Sequence, residues 1–188
     1  MADDHLIDFE RAGRITASIV AAILRLDPSH SRKWAWRVVT GREPERDSAD
    51  MQRGREYEAN AIASLECELG MFCDPGGFVP HPTLSWLGAS PDAKIGSNRI
   101  PVEAKCPRIL HGEIPDKYYA QLQTQIECCD APYGYFASWV NDTPDGFWHL
   151  KVERDVAWWA KAKIELDHFY TEYILTDTEP PRAPRRVK

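Results

Sequence analysis

The chain has 188 residues, 43% of them apolar, and a net charge of −6, which supports one substantial core rather than two independent domains. Seven Trp, seven Tyr and six Phe exclude a disordered chain, and no apolar run approaches the ~18 residues of a membrane span. The acidic opening MADDHLIDFE has no apolar stretch of secretory type, and the five cysteines are odd in number and lack a C-x-x-C; reduced thiols and a cytoplasmic setting are the expectation.

In chain order, the first helix is expected in TASIVAAILRL, with apolar residues at 19, 20, 23 and 24 behind the N-cap candidates Thr16 and Ser18. A second begins near Ser31, carries Trp34, Val38 and Val39, and stops at Gly41. The third and longest runs from about Ser48 to Leu69 and ends at Gly70. Residues 11–55 hold ten Lys/Arg against five Asp/Glu, a local basic excess that contacts phosphates even in an acidic protein, or simply forms a solvated helix face.

Gly and Pro then break the chain into extended pieces. FVPH, WLGAS, RIPVEAKC, YGYFASWV and FWHLKVER read as strands, with a helix over 116–129 between the third and fourth and a last helix over Asp155–Leu175. The fold class is α/β (α+β): a central mixed β-sheet flanked by helices in one domain, residues 1–178, followed by a mobile, basic, Pro-rich tail over 179–188.

Three acids and an amine stand out. A hairpin tipped at Ser97–Asn98 puts Gly96 opposite Arg99 and Asp92 opposite Glu103, about 5 Å apart, where two carboxylates repel unless a proton or a cation joins them. Pro101 must then occupy a slot that needs no N–H donor. Strand alternation puts Glu103 and Lys105 on one face and Val102 and Ala104 on the other. On the long helix Met51, Gly54, Glu58, Ile62, Leu65 and Leu69 form an inward stripe, so Glu58 is a carboxylate pointed at the interior. A divalent metal answers the charge excess, and oxygen ligands favour Mg2+ or Mn2+ over zinc. Singly, each residue also fits a plainer role: Asp92 in a turn, Glu103 and Lys105 as a surface pair, Glu58 bridged to Arg55.

SPD followed by VEAKCP resembles the PD-(D/E)xK nuclease signature of restriction-endonuclease-like folds. Together with ERAGRITASIV, RGREYEANAIASL, YYAQLQTQ and YFASWV, in that order from about Arg11 to Arg154, the chain is similar to the lambda-type phage exonucleases, the viral recombinase or alkaline exonuclease family. The resemblance implies metal ligation by Asp92, Glu103, the Ala104 carbonyl and Glu58, with Lys105 activating the attacking water and Gln121 beside it; these make the catalytic set Lys105, Glu58, Asp92, Glu103 and Gln121. It implies a 5′-phosphate pocket at Arg11, Ser18 and Ser90. Arg32, Lys33 and Trp34 are the DNA-facing candidates, although a tryptophan there also suits the core. Two positions depart from the pattern: Ala93 replaces a frequent glycine, and Pro101 enters the second strand.

What the resemblance implies for activity is an Mg2+-dependent 5′–3′ exonuclease, with two ions per site and Mn2+ as substitute. It digests one strand of linear double-stranded DNA from a 5′-phosphorylated end to mononucleotides and leaves 3′ overhangs. A homotrimer ring and a single-strand annealing recombinase as partner follow from the same likeness, as does a phage or prophage origin in a bacterial cell. The alternatives are a structure-specific or restriction-type endonuclease on the same fold, and a catalytically inactive DNA-binding relative.

Overall fold

The computed structural model describes residues 10–43, 49–96, 99–141, 143 and 145–182. The expected helix start at Ser48, the Met51 side chain, the Ser97–Asn98 tip and residues 183–188 of the tail lie outside them. The helices are α1 (Ala17–Ile23), α2 (Arg32–Val39), α3 (Ala49–Leu69), α4 (Asp116–Cys129) and α5 (Val156–Phe169), the last continued by a π-helical turn at Tyr170–Ile174. Strands β2 (Cys73–Pro75), β5 (Ala93–Ile95), β6 (Ile100–Lys105), β7 (Tyr133–Trp139) and β8 (Phe147–Glu153) form a five-stranded sheet in the order β2-β5-β6-β7-β8, and β1 (Ile15–Thr16), β4 (Leu87–Ala89) and β3 (Val79–Pro80) form a small second one. This is the mixed α+β architecture expected, with β6 and β7 parallel and the other pairs of the large sheet antiparallel.

The helix ends follow local chemistry. Ser31 Oγ accepts the Trp34 N–H at 3.2 Å, while Gly41 and Gly70 close α2 and α3 with φ of 70° and 62°, a left-handed conformation that costs glycine little. Thr16 holds the N-cap position of α1 without capping through its side chain; its hydroxyl lies 3.0 Å from that of Ser18. The last helix, expected as one run to Leu175, widens at Tyr170 into i→i+5 bonding, the Leu175 N–H reaching the Tyr170 carbonyl at 2.9 Å. There the Trp36 indole donates to the Tyr173 carbonyl at 3.0 Å, tying that turn to α2. At the start of the tail Lys33 donates to Glu179 at 2.5 Å and Pro180 is buried.

Strand β6 is the centre. Every residue from Ile100 to Ala104 is buried, as a strand covered on both faces requires. Helix α4 is the crossover between parallel β6 and β7 and packs Leu122 and Ile126 against Phe136 on one sheet face. Helix α3 covers the opposite face, with Ala61 and Tyr57 against Ala104. Since neighbours on a strand alternate, Glu103 faces α4 while Ala104 faces α3.

Candidate active site at the β5–β6 hairpin

The chain passes from the small sheet to the large one through Ser90–Pro91–Asp92. The hairpin register is the one expected: Ile95 pairs with Ile100 and Ala93 with Val102, so Asp92 continues opposite Glu103. Pro101 lies opposite Lys94, ahead of the parallel ladder with β7, which begins at Val102.

Asp92 bonds to β6 through both backbone and side chain. Its N–H donates to the Val102 carbonyl at 3.0 Å, and its Oδ2 accepts the Ala104 N–H at 2.7 Å. Because a strand residue directs its N–H and C=O to the same side, the Ala104 carbonyl is aimed past the end of β5 toward Asp92. A tight backbone approach backs this turn: a Cβ on Gly76 would lie 1.6 Å from the Pro91 carbonyl oxygen.

Glu103 is fully buried at 0% exposure, which an ionised carboxylate tolerates only with partners. Two are present: Gln125 Nε2 donates to Oε2, and the Lys105 ammonium sits against Oε1. Lys105 is 26% exposed on its side chain and lies over the Tyr118 ring at 5.1 Å. Burial alone would lower its pKa; the Glu103 and Asp92 carboxylates outweigh that and raise it. The two carboxylates thus favour the ammonium form of Lys105.

Burial, then the charge of Glu103, pushes Asp92 well above the ordinary carboxylate range. The same two causes raise Glu58, so the α3 glutamate does reach the electrostatic field of the cluster. Three acids thus face one ammonium. This imbalance, the Ala104 carbonyl on the Asp92 side of β6 and the buried Gln125 Oε1, which has no hydrogen-bond partner among the described residues, fit a divalent cation. Among the described residues no three His, Cys, Asp or Glu side chains converge as a ready metal cage, because Asp92 is turned to the Ala104 N–H and Glu103 to Gln125 and Lys105.

The remaining expected residues distribute as follows. Gln121 is half-buried on α4, one turn before Gln125. It is Gln125 that touches Glu103, a residue the sequence reading passed over although the i, i+4 spacing puts both on one helix face. Arg11 is half-buried just before β1 and its carbonyl accepts the Arg14 N–H at 3.1 Å. Thr16 pairs with Gly88 in the parallel β1–β4 ladder, so Ser18 and Ser90 leave the same end of that ladder two residues later. Ser18 is exposed, and Ser90 Oγ is buried with no hydrogen-bond partner among the described residues. On α2, Lys33 is held by Glu179, and Trp34 packs on the His30 ring at 4.0 Å. Arg32 points inward: its guanidinium lies 5.1 Å from the Phe169 ring and 5.6 Å from that of Tyr173, with Glu165 at 3.7 Å. An arginine so placed braces α2 against α5.

A family model described as the YqaJ-like viral recombinase domain matches residues 9–132. Among solved structures the chain is similar to an alkaline exonuclease, LHK-Exo, from Laribacter hongkongensis, at 29% identity over 92% of this chain and 93% of that one, with a TM-score of 0.78. It is likewise similar to LHK-Exo in complex with dAMP, at 30% identity, 89% and 90% coverage and a TM-score of 0.75. A phage related exonuclease from Haemophilus somnus 129PT shares the fold at 13% identity, over 87% of this chain and 95% of that one, with a TM-score of 0.67. No curated protein matches. With its motifs and its fold agreeing, the chain belongs to the YqaJ-like viral recombinase domain family and has the fold of a metal-dependent exonuclease.

Proposed function

We propose that the protein is a Mg2+-dependent exonuclease that degrades the 5′-ended strand of linear double-stranded DNA and leaves 3′ overhangs for strand annealing. The observation that carries this reading is the hairpin cluster, in which the charges of Asp92, Glu103 and Lys105 act on one another with Glu58 in electrostatic reach. The alkaline exonuclease likeness supports the reaction class.

Asp92, Glu103, the Ala104 carbonyl and Glu58 would hold the metal, with Mg2+ or Mn2+ matching the oxygen donors. When bound, the metal supplies Lewis acidity toward the phosphodiester and its attacking water. The chain's own groups do the rest. Lys105, kept protonated by its neighbours, neutralises charge growing on the phosphoryl oxygens or the incoming hydroxide. Gln125 fixes the Glu103 carboxylate through its Nε2, while its amide oxygen and Gln121 are polar groups available to an ordered water. Ser18 and Ser90, each two residues past the β1–β4 pairing of Thr16 with Gly88, would offer hydroxyls to a terminal 5′-phosphate, with Arg11 supplying charge. Lys33 and Trp34 are the α2 groups that remain for duplex contact. A homotrimer ring, a single-strand annealing partner and action in the cytoplasm of a bacterial host complete the proposal. Among the described residues no helix is long and apolar enough to cross a membrane.

The test is incubation with a linear 5′-phosphorylated duplex, with Mg2+ and in parallel with EDTA. Acid-soluble mononucleotides released only with the metal are the expected result. Cuts in closed circles would establish the endonuclease alternative, and no hydrolysis at all would leave a DNA-binding relative.

A further inference from the structure

Helix α2 and the turn that follows it carry three partly exposed cations, Lys33, Arg37 and Arg42, and the helix itself, Arg32–Val39, contains no acid. Each cation nevertheless has a carboxylate. Lys33 donates to Glu179 at 2.5 Å, Arg42 donates to Asp177 at 2.6 Å, and Arg37 lies 3.6 Å from Glu43. Two of these three acids come from one short segment, 146 and 135 residues further along the chain than the cations they meet.

That segment is held across α2 from both sides. The Trp36 indole donates to the Tyr173 carbonyl at 3.0 Å ahead of it, the chain turns at Asp177 with a φ of 53°, and Pro180 is buried just after it. Because Asp177 meets Arg42 past the end of α2 while Glu179 meets Lys33 in its first turn, the segment runs antiparallel to the helix. The Lys33 hydrogen bond, with the charges of Arg37 and Arg182 added, holds the Glu179 pKa below the ordinary carboxylate value. The basic excess of the N-terminal part of the sequence is thus neutralised at this face by acids from the C-terminal part.

We propose that residues 177–179 form an anionic cover over a phosphate-binding face of α2, Asp177 and Glu179 standing where backbone phosphates of a duplex pair with Arg42 and Lys33. This rests on the reading of the protein as one that acts on DNA, and it adds a control of duplex affinity built into the chain. An exposed ion pair between two single charges is weak, whereas a duplex phosphate that takes the place of a carboxylate also releases condensed counterions. The exchange therefore favours the duplex at low salt and fades as salt rises. The cover lowers duplex affinity by the strength of the pairs that must open, with no change in the residues of the carboxylate cluster.

The experiment measures binding of a labelled linear duplex to the full chain by fluorescence anisotropy, in EDTA where no turnover occurs, from low to physiological salt. It compares the native protein with Glu179→Gln, Lys33→Ala and Lys33→Ala/Glu179→Gln, each checked by thermal melting. Glu68→Gln, which removes an exposed acid of α3, controls for net charge. The expected result is that Glu179→Gln binds about two- to fivefold more tightly at low salt, with a salt dependence steeper by up to about 0.9 for the freed cation. That gain disappears in the Lys33→Ala background, and Glu68→Gln shows none of it. No gain in Glu179→Gln, an equal gain in Glu68→Gln, or a gain that survives Lys33→Ala overturns the cover, as does the absence of duplex binding by the native chain and Glu179→Gln alike. Digestion with Mg2+ is read separately. The expected binding pattern in a protein that cuts no DNA would keep the cover and sink the nuclease reading, and cutting with no effect of Glu179→Gln on binding would do the reverse.

Discussion

Gln125 is the residue whose replacement tests the site most cleanly. In Gln125→Leu the Glu103 carboxylate, buried at 0% exposure, loses the amide that donates to Oε2 and keeps only Lys105 on its other oxygen. A hydrogen bond to a charged group is worth about 1.5–3 kcal/mol net, and a buried oxygen left without a donor puts the cost at the upper part of that range. The leucine fills similar space and returns some burial energy, so the expected loss is about 2 kcal/mol. For a chain of 188 residues that is a fall in Tm of roughly 4–8 °C. Activity should fall further than stability, since a carboxylate displaced by about 1 Å costs on the order of a hundredfold. The assay pairs urea unfolding of metal-free protein with kcat on a linear duplex. Gln125→Glu supplies the sign. Two adjacent carboxylates raise the pKa of the new acid, so its destabilisation is largest at neutral pH and shrinks as pH falls through that raised value and a proton bridges the pair. A Gln125→Leu protein as stable and as active as the native one would show that the amide does not hold Glu103.

Three further outcomes are expected. Arg154 bridges the buried Glu127 through two bonds of 2.8 and 2.6 Å, so Arg154→Ala strands a carboxylate. It should cost about 3 kcal/mol in denaturant unfolding, the low end for such a break because the arginine is 32% exposed; Arg154→Ala with Glu127→Gln should recover part of it. Gly76→Ala forces a Cβ into the Pro91 carbonyl, and should lower both stability, by about 1–3 kcal/mol, and nuclease activity by moving Asp92, measured as melting and kcat together. Asp155 caps α5 by accepting the Trp158 N–H at 2.9 Å and also accepts the Tyr119 hydroxyl. Those bonds depress its pKa, so its contribution is present above the unfolded carboxylate value near 4 and lost as pH falls through the lower folded value. An Asp155→Ala protein should show a flatter stability profile over that acid window.

The sequence carried the site further than it carried the fold's small parts. Alternation along β6 and the count around the hairpin gave the Asp92–Glu103 register, because a period of two leaves few choices once a turn is assigned. The long α3 stripe placed Glu58 toward the cluster, and the breaks at Gly41 and Gly70 ended their helices by a local backbone need. Short strands were not legible. Ile15–Thr16 and Cys73–Pro75 are too brief to show alternation and exist through partners distant in sequence, Leu87–Gly88 and Ala93–Ile95. Arg32 looked like a surface cation because its helix is basic; its burial under Phe169 and Tyr173 depends on a helix more than a hundred residues away. Gln125 was hidden for a related reason. Helical spacing puts Gln121 and Gln125 on one face, and only the height of α4 over β6 decides which one meets Glu103.

The central property of the hairpin is that its acids would take up a divalent cation together. Calorimetric titration of Mn2+ into metal-free protein, native and Asp92→Asn, measures it directly. Saturable binding by the native protein, weakened about tenfold or more by the substitution, is the predicted result. Equal binding by both proteins, or none by the native one, would contradict it.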